Sequence, residues 1–157
     1  MSLMQTPEEL ADAIRNDPQR VAECLHRINR FGGQAIECSV LQHSLAVYDS
    51  VLSHRPAVRL WALLHDCHEI LTGDVVRPYA TTALTHQQAA IDQELRDILG
   101  LTLSADDVIA VTRADVWRGG CEFQEVHAGK PVYSMMDLDP VSDWVDSVRA
   151  LLSEVAK

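Results

Sequence analysis

The segment HDCHEILTGD, residues 65–74, sets His65, Asp66, His68 and Glu69 directly behind the apolar run WALL. Burying such groups unpaired costs roughly 2–7 kcal/mol each, so their position after a core-type run calls for a compensating partner. On a helix, Glu69 lies four residues after His65 and three after Asp66, which places all three on one side of the last turns. A histidine beside an aspartate suits a divalent cation, imidazole nitrogen favouring borderline metals and carboxylate oxygen harder ones. Two ligands are too few to hold an ion. In a helical bundle the others come from neighbouring helices, and two residues stand at suitable positions: His43 within VLQHSLAVY and Asp115 within VIAVTRADVWRG. Each alone reads as a hydrogen-bonded core histidine or a solvent-facing aspartate; the four together read as a ligand set.

The elements that must position these residues are all helical by their punctuation. Thr6-Pro7-Glu8-Glu9 is a capping box with proline at the first helical position, opening a helix to about Asn16. Asp17-Pro18 repeats the device, with Val21, Leu25 and Ile28 at helical spacing before Gly32-Gly33. Residues 39–53 form a third helix. Pro56 opens a fourth, apolar nearly all round from Ala57 to Leu64 and therefore central and buried, which ends at Gly73 as a left-handed cap. Residues 74–78 read as a loop and 85–99 as an amphipathic helix. Ser104 and Asp107 cap the next helix, which runs towards Gly119-Gly120. Residues 121–138 hold a short extended piece or a loop, and Asp139-Pro140 opens a last helix with Trp144 on its buried side. That helix packs on the core or forms a dimer face. Trp61, Trp117 and Trp144 read as core. No stretch alternates as a sheet strand does, so the expected fold class is an all-α bundle, residues 1–157 forming one domain.

Bulk properties narrow the partners. The net charge of −10 argues against a nucleic-acid polymer, whose phosphate backbone needs a basic surface. A small phosphorylated molecule stays open, because one or two local arginines suffice to hold it. The densest apolar patch, around residues 57–64, is interrupted by Arg59 and is too short for a membrane span. Cys24, Cys38, Cys67 and Cys121 form no CxxC pair and read as reduced thiols of a cytoplasmic protein. Cys67, although inside the polar segment, is most simply a small buried hydrophobe.

His43, His65-Asp66 and Asp115 resemble the signature of the HD-domain metal-dependent phosphohydrolases. HDCHEILTGDVVRP resembles the HD-x-x-E-x-x-x-G-D-x-x-x-P segment of the bacterial 5′-deoxynucleotidase branch, and INRF followed by QHSLAV resembles that branch's upstream arginine and QHS motif. The resemblance covers about Ile28 to Asp115 and implies an HD-type helical bundle. It implies that His43, His65, Asp66 and Asp115 bind one divalent metal (Mn, Co, Zn, Mg, Fe or Ni), with Asp66 and Glu69 in the catalytic role. Arg30 would hold the phosphate and Asp74 the sugar, through its 3′-hydroxyl. Phe31 stands where the branch typically carries tryptophan, keeping an aromatic face beside the sugar. Arg77, in the same loop as Asp74, is a further candidate for the phosphate, with surface solvation as its alternative.

The implied activity is hydrolysis of a small nucleotide, with removal of phosphate from deoxyribonucleoside 5′-monophosphates favoured. Release of triphosphate from dATP, as in short phage-type relatives, is the alternative reaction; a non-catalytic nucleotide-binding module is the alternative of a different class. The resemblance also suggests a homodimer. His68 departs from the branch, where that position is small or apolar. It could be a donor behind a ligand, a phosphate contact, a solvated residue, or a ligand of a second metal for which only His86 and His127 lie downstream.

Overall fold

In a computed structural model, residues 3–76, 78–134 and 139–157 are described, and all regular structure among them is helical. The elements are α1 (Pro7–Asn16), α2 (Pro18–Arg27), a 3₁₀ turn (Phe31–Gly33), α3 (Val40–Ser50), α4 (Pro56–Leu64), α5 (Glu69–Thr72), α6 (Thr82–Leu99), α7 (Ala105–His127) and α8 (Pro140–Val155). Thr6, Asp17, Ser104 and Asp139 each accept a hydrogen bond from an unpaired N–H of the helix they open, as their sequence context predicts.

α4 lies at the centre. Val58, Leu60, Trp61, Ala62, Leu63 and Leu64 are all buried, and α4 packs against α3, α7 and α8. Its all-round apolar surface leaves water nowhere to go, which matches the sequence expectation of a core helix. α8 closes the other side through the fully buried Trp144, whose indole N–H donates to the Leu63 carbonyl at 3.1 Å. The Trp144 side of α8 is therefore core and not a dimer face. Trp144→Ala should cost about 3–5 kcal/mol and lower the midpoint of thermal unfolding by roughly 10 °C. A loss below about 3 °C in a circular-dichroism melt would contradict this packing role.

Three sequence expectations need correction. The helix opened by Pro56 does not run unbroken to Gly73: α4 stops at Leu64, and residues 65–68 form a tight turn before α5. There the chain makes i→i−3 bonds, Cys67 N–H to Leu64 C=O at 2.9 Å and Glu69 N–H to Asp66 C=O at 3.0 Å, as in a 3₁₀ turn. α7, by contrast, runs straight through Gly119-Gly120 to His127, so residues 121–127 are helical. Two interior glycines cost a helix about 1 kcal/mol each relative to alanine, which burial of Val111 and Ala114 and the pairing of Glu122 with His43 and Arg30 offset. Trp117 is 59% exposed; it lies on the outer side of α7, away from the core.

No helix among the described residues is long and apolar enough to cross a membrane.

Candidate metal centre

The loop between α2 and α3 carries Arg30 and is clamped at its base. Val40 N–H donates to Ile28 C=O, and Arg30 N–H to Cys38 C=O, both at 2.9 Å. Within it Phe31 has φ 57°, a left-handed conformation that non-glycine residues rarely adopt. Strain of this kind costs about 1–3 kcal/mol and persists where the surroundings impose it. Gly32, at φ 62°, lets the loop press against the 74–76 loop: a Cβ there would meet Val76 Cγ2 at 3.1 Å. The Arg30–Phe31 loop and the Asp74 loop thus form one continuous rim.

Inside that rim the four predicted ligands converge. One donor atom from each of His43 (mid-α3), His65 and Asp66 (the turn after α4) and Asp115 (mid-α7) lies within 4.8 Å of the others. His43 Nε2 is 2.9 Å from Asp115 Oδ1 and 3.7 Å from Asp66 Oδ2; His65 Nε2 is 3.3 Å from Asp66 Oδ2 and 3.7 Å from Asp115 Oδ1.

The far side of each imidazole decides what the near side can do. His65 Nδ1 is 2.8 Å from the Ala62 carbonyl, which can only accept, so Nδ1 carries the hydrogen. Its Nε2 is buried with no hydrogen-bond partner. His43 Nδ1 donates to Glu122 Oε1, which likewise turns its Nε2 towards the carboxylates. Two lone-pair nitrogens facing two carboxylate oxygens repel unless a cation lies between them. A histidine whose outer N–H is held by a carboxylate or carbonyl is the usual arrangement behind a metal ligand. The donor set, two imidazoles and two carboxylates, therefore fits a borderline divalent ion such as Mn²⁺, Co²⁺ or Zn²⁺. Without an ion the cluster balances itself by protonation. Burial opposes charge on His65, but Asp66 and Asp115 outweigh it and push its pKa well above the ordinary value. Burial likewise opposes charge on Asp66 and Asp115, and their histidine neighbours outweigh it, holding both carboxyls well below the usual range.

Glu122 is the functional residue that the sequence reading missed. It is fully buried, and besides His43 it engages Arg30, whose Nε lies 2.8 Å from Oε2 as an ion pair without hydrogen-bond alignment. Cys38 Sγ–H donates to the same oxygen at 3.2 Å. One carboxylate thus orients a metal-type histidine and the predicted phosphate-binding arginine together. The signal was its spacing: Glu122 follows Asp115 by seven residues, two helical turns along one face. It fell in a stretch not assigned to a helix.

Arg30 is placed beside the cluster, with Nη1 3.5 Å from Asp66 Oδ2, Nη2 against Gly119 and its guanidinium 5.7 Å from the Phe31 ring. Asp74 is half-buried, and its Oδ2 has no hydrogen-bond partner. Arg77 lies outside the described residues. Glu69 is buried with Oε2 unpartnered, and burial, then Asp66 and Asp74, push its carboxyl up to about 9 from 4.5. Cys67 is fully buried, and burial pushes its thiol well above the ordinary value, so it is no nucleophile at neutral pH.

The raised Glu69 carboxyl has a measurable consequence in metal-stripped protein. Between 4.5 and about 9 the folded state holds a proton that the unfolded state releases, so folding stability falls as pH rises through that window. Glu69→Gln, which cannot ionise, should remove this contribution and melt higher than the parent at pH 8 but not at pH 4. Equal melting differences at both pH values would contradict the assignment.

His68 is not a solvated residue. It is 9% exposed, and its Nδ1 lies 2.8 Å from Asp92 Oδ1 on α6, a contact reinforced nearby by Gln88 Nε2 donating to Thr72 Oγ1 at 3.1 Å. Two surface clefts against α3 and α8, around Tyr48 and Asp146, share no residue with the cluster.

No known family model matches this chain, and no curated protein does. The chemistry of the cluster has to carry the functional reading.

Proposed function

We propose that this chain is a metal-dependent phosphohydrolase of the HD type acting on small nucleotides, with deoxyribonucleoside 5′-monophosphates as preferred substrates. The observation that supports this most is the convergence of His43, His65, Asp66 and Asp115 beside the Arg30 guanidinium. A purely structural bundle has no use for four such groups facing one another, and a degraded binding module would have lost some of them.

His43, His65, Asp66 and Asp115 would hold one divalent ion, which supplies Lewis-acid polarisation of a phosphoryl oxygen and a bound water of lowered pKa. Arg30 keeps Nε towards Glu122 and leaves guanidinium donors for the substrate phosphate, where its planar fork offsets developing charge. Glu69, buried beside Asp66 with Oε2 unpartnered, is placed to orient the attacking water and accept its proton. Asp74 offers an unpartnered carboxylate oxygen to a sugar hydroxyl, and Phe31, its ring 5.7 Å from the Arg30 guanidinium and 6.4 Å from the Phe123 ring, supplies an aromatic face next to the phosphate-binding arginine. The clamped Arg30 loop and the Gly32–Val76 contact keep these groups in register with the cluster, so the phosphate and sugar ends of one small molecule are read together.

The test is a substrate panel. Mn²⁺-loaded protein is incubated with each deoxynucleoside mono- and triphosphate and with the ribonucleoside monophosphates, and released anions are separated by ion chromatography. Orthophosphate from the deoxynucleoside monophosphates is expected. Triphosphate from dATP would move the assignment to a triphosphohydrolase. No turnover with Mn²⁺, Co²⁺, Zn²⁺ or Mg²⁺ would overturn the enzymatic reading.

A further inference from the structure

His68 has no place in the single-metal scheme, yet it is buried and its Nδ1 is held at 2.8 Å by the partly buried carboxylate of Asp92. The tight turn at residues 65–69 explains what it is held for. In 3₁₀ geometry side chains three residues apart eclipse, so the turn stacks Glu69 beside Asp66, while His68 stands next to both. One donor atom from each of Asp66, His68 and Glu69 lies within 4.8 Å of the other two, and all three residues are buried.

Two details separate this trio from an incidental acidic cluster. Glu69 is 8% exposed and its Oε2 has no hydrogen-bond partner. A buried oxygen with no partner in the protein, beside the Asp66 carboxylate, is available to a ligand. His68 resembles His43 in that Nδ1 is engaged by a carboxylate, here the partly buried Asp92, and Nε2 is the other ring nitrogen. A histidine whose outer nitrogen is held by a carboxylate is the usual arrangement behind a metal ligand. Asp66 belongs to both groups, and its Oδ2 faces the two histidines of the first.

We propose that Asp66, His68 and Glu69 form a second divalent-cation site that shares the Asp66 carboxylate with the first. One imidazole and two carboxylates select a borderline ion, Mn²⁺, Co²⁺ or Fe²⁺ in preference to Ca²⁺. The ligands lie within the 65–69 turn itself, so neither His86 nor His127 is needed. In a two-ion centre the substrate phosphate is gripped from two sides, which makes a terminal phosphate monoester the natural ligand. The inference rests on the proposed metal-dependent reading, and its test counts ions instead of turnover.

Chelator-stripped protein is titrated with Mn²⁺ alone, and bound ions are counted by elemental analysis and calorimetry, with low-temperature electron paramagnetic resonance on the saturated sample. Two ions per chain and an exchange-coupled spectrum are expected for the parent. His68→Gln should bind one ion with an uncoupled spectrum. Asp92→Asn, which keeps the shape and weakens only the orientation of His68, should lower affinity for the second ion about 10–100-fold. A single ion in the parent, lost in Asp115→Asn, would overturn the second site and leave the first standing. No bound ion at all would overturn both. Two tightly held ions in His68→Gln, or an unchanged second affinity in Asp92→Asn, would also overturn this proposal.

Discussion

Asp115→Ala should leave a folded protein that neither retains its metal nor turns over nucleotide. Asp115 supplies the only α7 oxygen of the first cluster, and its side chain is 31% exposed. Asp66 and Glu122 still face the two histidines without it, and the structural cost is the lost contacts with His43 and His65, about 1–2 kcal/mol. The ion loses one of four protein ligands. Since metal-assisted activation is worth several kcal/mol and each 1.36 kcal/mol is tenfold in rate, phosphate release should fall by about 10³-fold or more. The far-ultraviolet circular dichroism should be unchanged. Full metal occupancy in this variant would refute the ligand set whatever its activity. His65→Ala should behave alike, because its buried Nε2 is the ligand atom facing Asp66 at 3.3 Å and Asp115 at 3.7 Å.

Glu122→Ala should do the reverse, damaging the fold more than its distance from the chemistry suggests. Glu122 is fully buried, and it answers Arg30, His43 and Cys38 at once. Burial opposes its ionisation, but His43 and then Arg30 outweigh that and hold its carboxyl below the ordinary value, so it is charged at neutral pH. Removing one member of a buried charge network strands the others at a cost of about 3–5 kcal/mol, a large part of the stability of a domain of this size. Surviving protein should bind metal about 10–100-fold more weakly, because His43 loses the partner that sets its tautomer. Glu122→Gln, which keeps the volume and one acceptor oxygen, should recover much of the stability and little of the affinity. An alanine variant as stable as the parent in urea would contradict the network.

These two carboxylates show what could be read from the chain beforehand. Asp115 was legible because it sits mid-helix among apolar residues, where a lone carboxylate needs a reason. Glu122 shares its face two turns on, but the glycines at 119 and 120 suggested that the helix had ended. The helix continues through them because Val111 and Ala114 on one side and Glu122 on the other are anchored in the interior, and no local propensity reports that. The helix starts were legible for the opposite reason. Thr6, Asp17, Ser104 and Asp139 cap by contacts within three residues, so the information is local.

The turn at residues 65–68 lies between these cases. Its residues suit a helix, and as a continuous helix His65, Asp66 and Glu69 would still share a side. Only packing decides that the chain tightens there, bringing His68 onto Asp92 of α6, 24 residues away in sequence. His68 therefore looked like a solvated departure from the family pattern, although it is buried and held.

The central claim is that these residues bind a metal in order to hydrolyse a nucleotide. Orthophosphate release from dAMP tests it most directly, followed in chelator-stripped protein and again after Mn²⁺ is restored. The stripped protein should be inactive, and activity should return in proportion to metal bound and be absent in Asp115→Ala. Full Mn²⁺ loading with no phosphate released from dAMP, from any other deoxynucleoside monophosphate or from dATP would contradict the account.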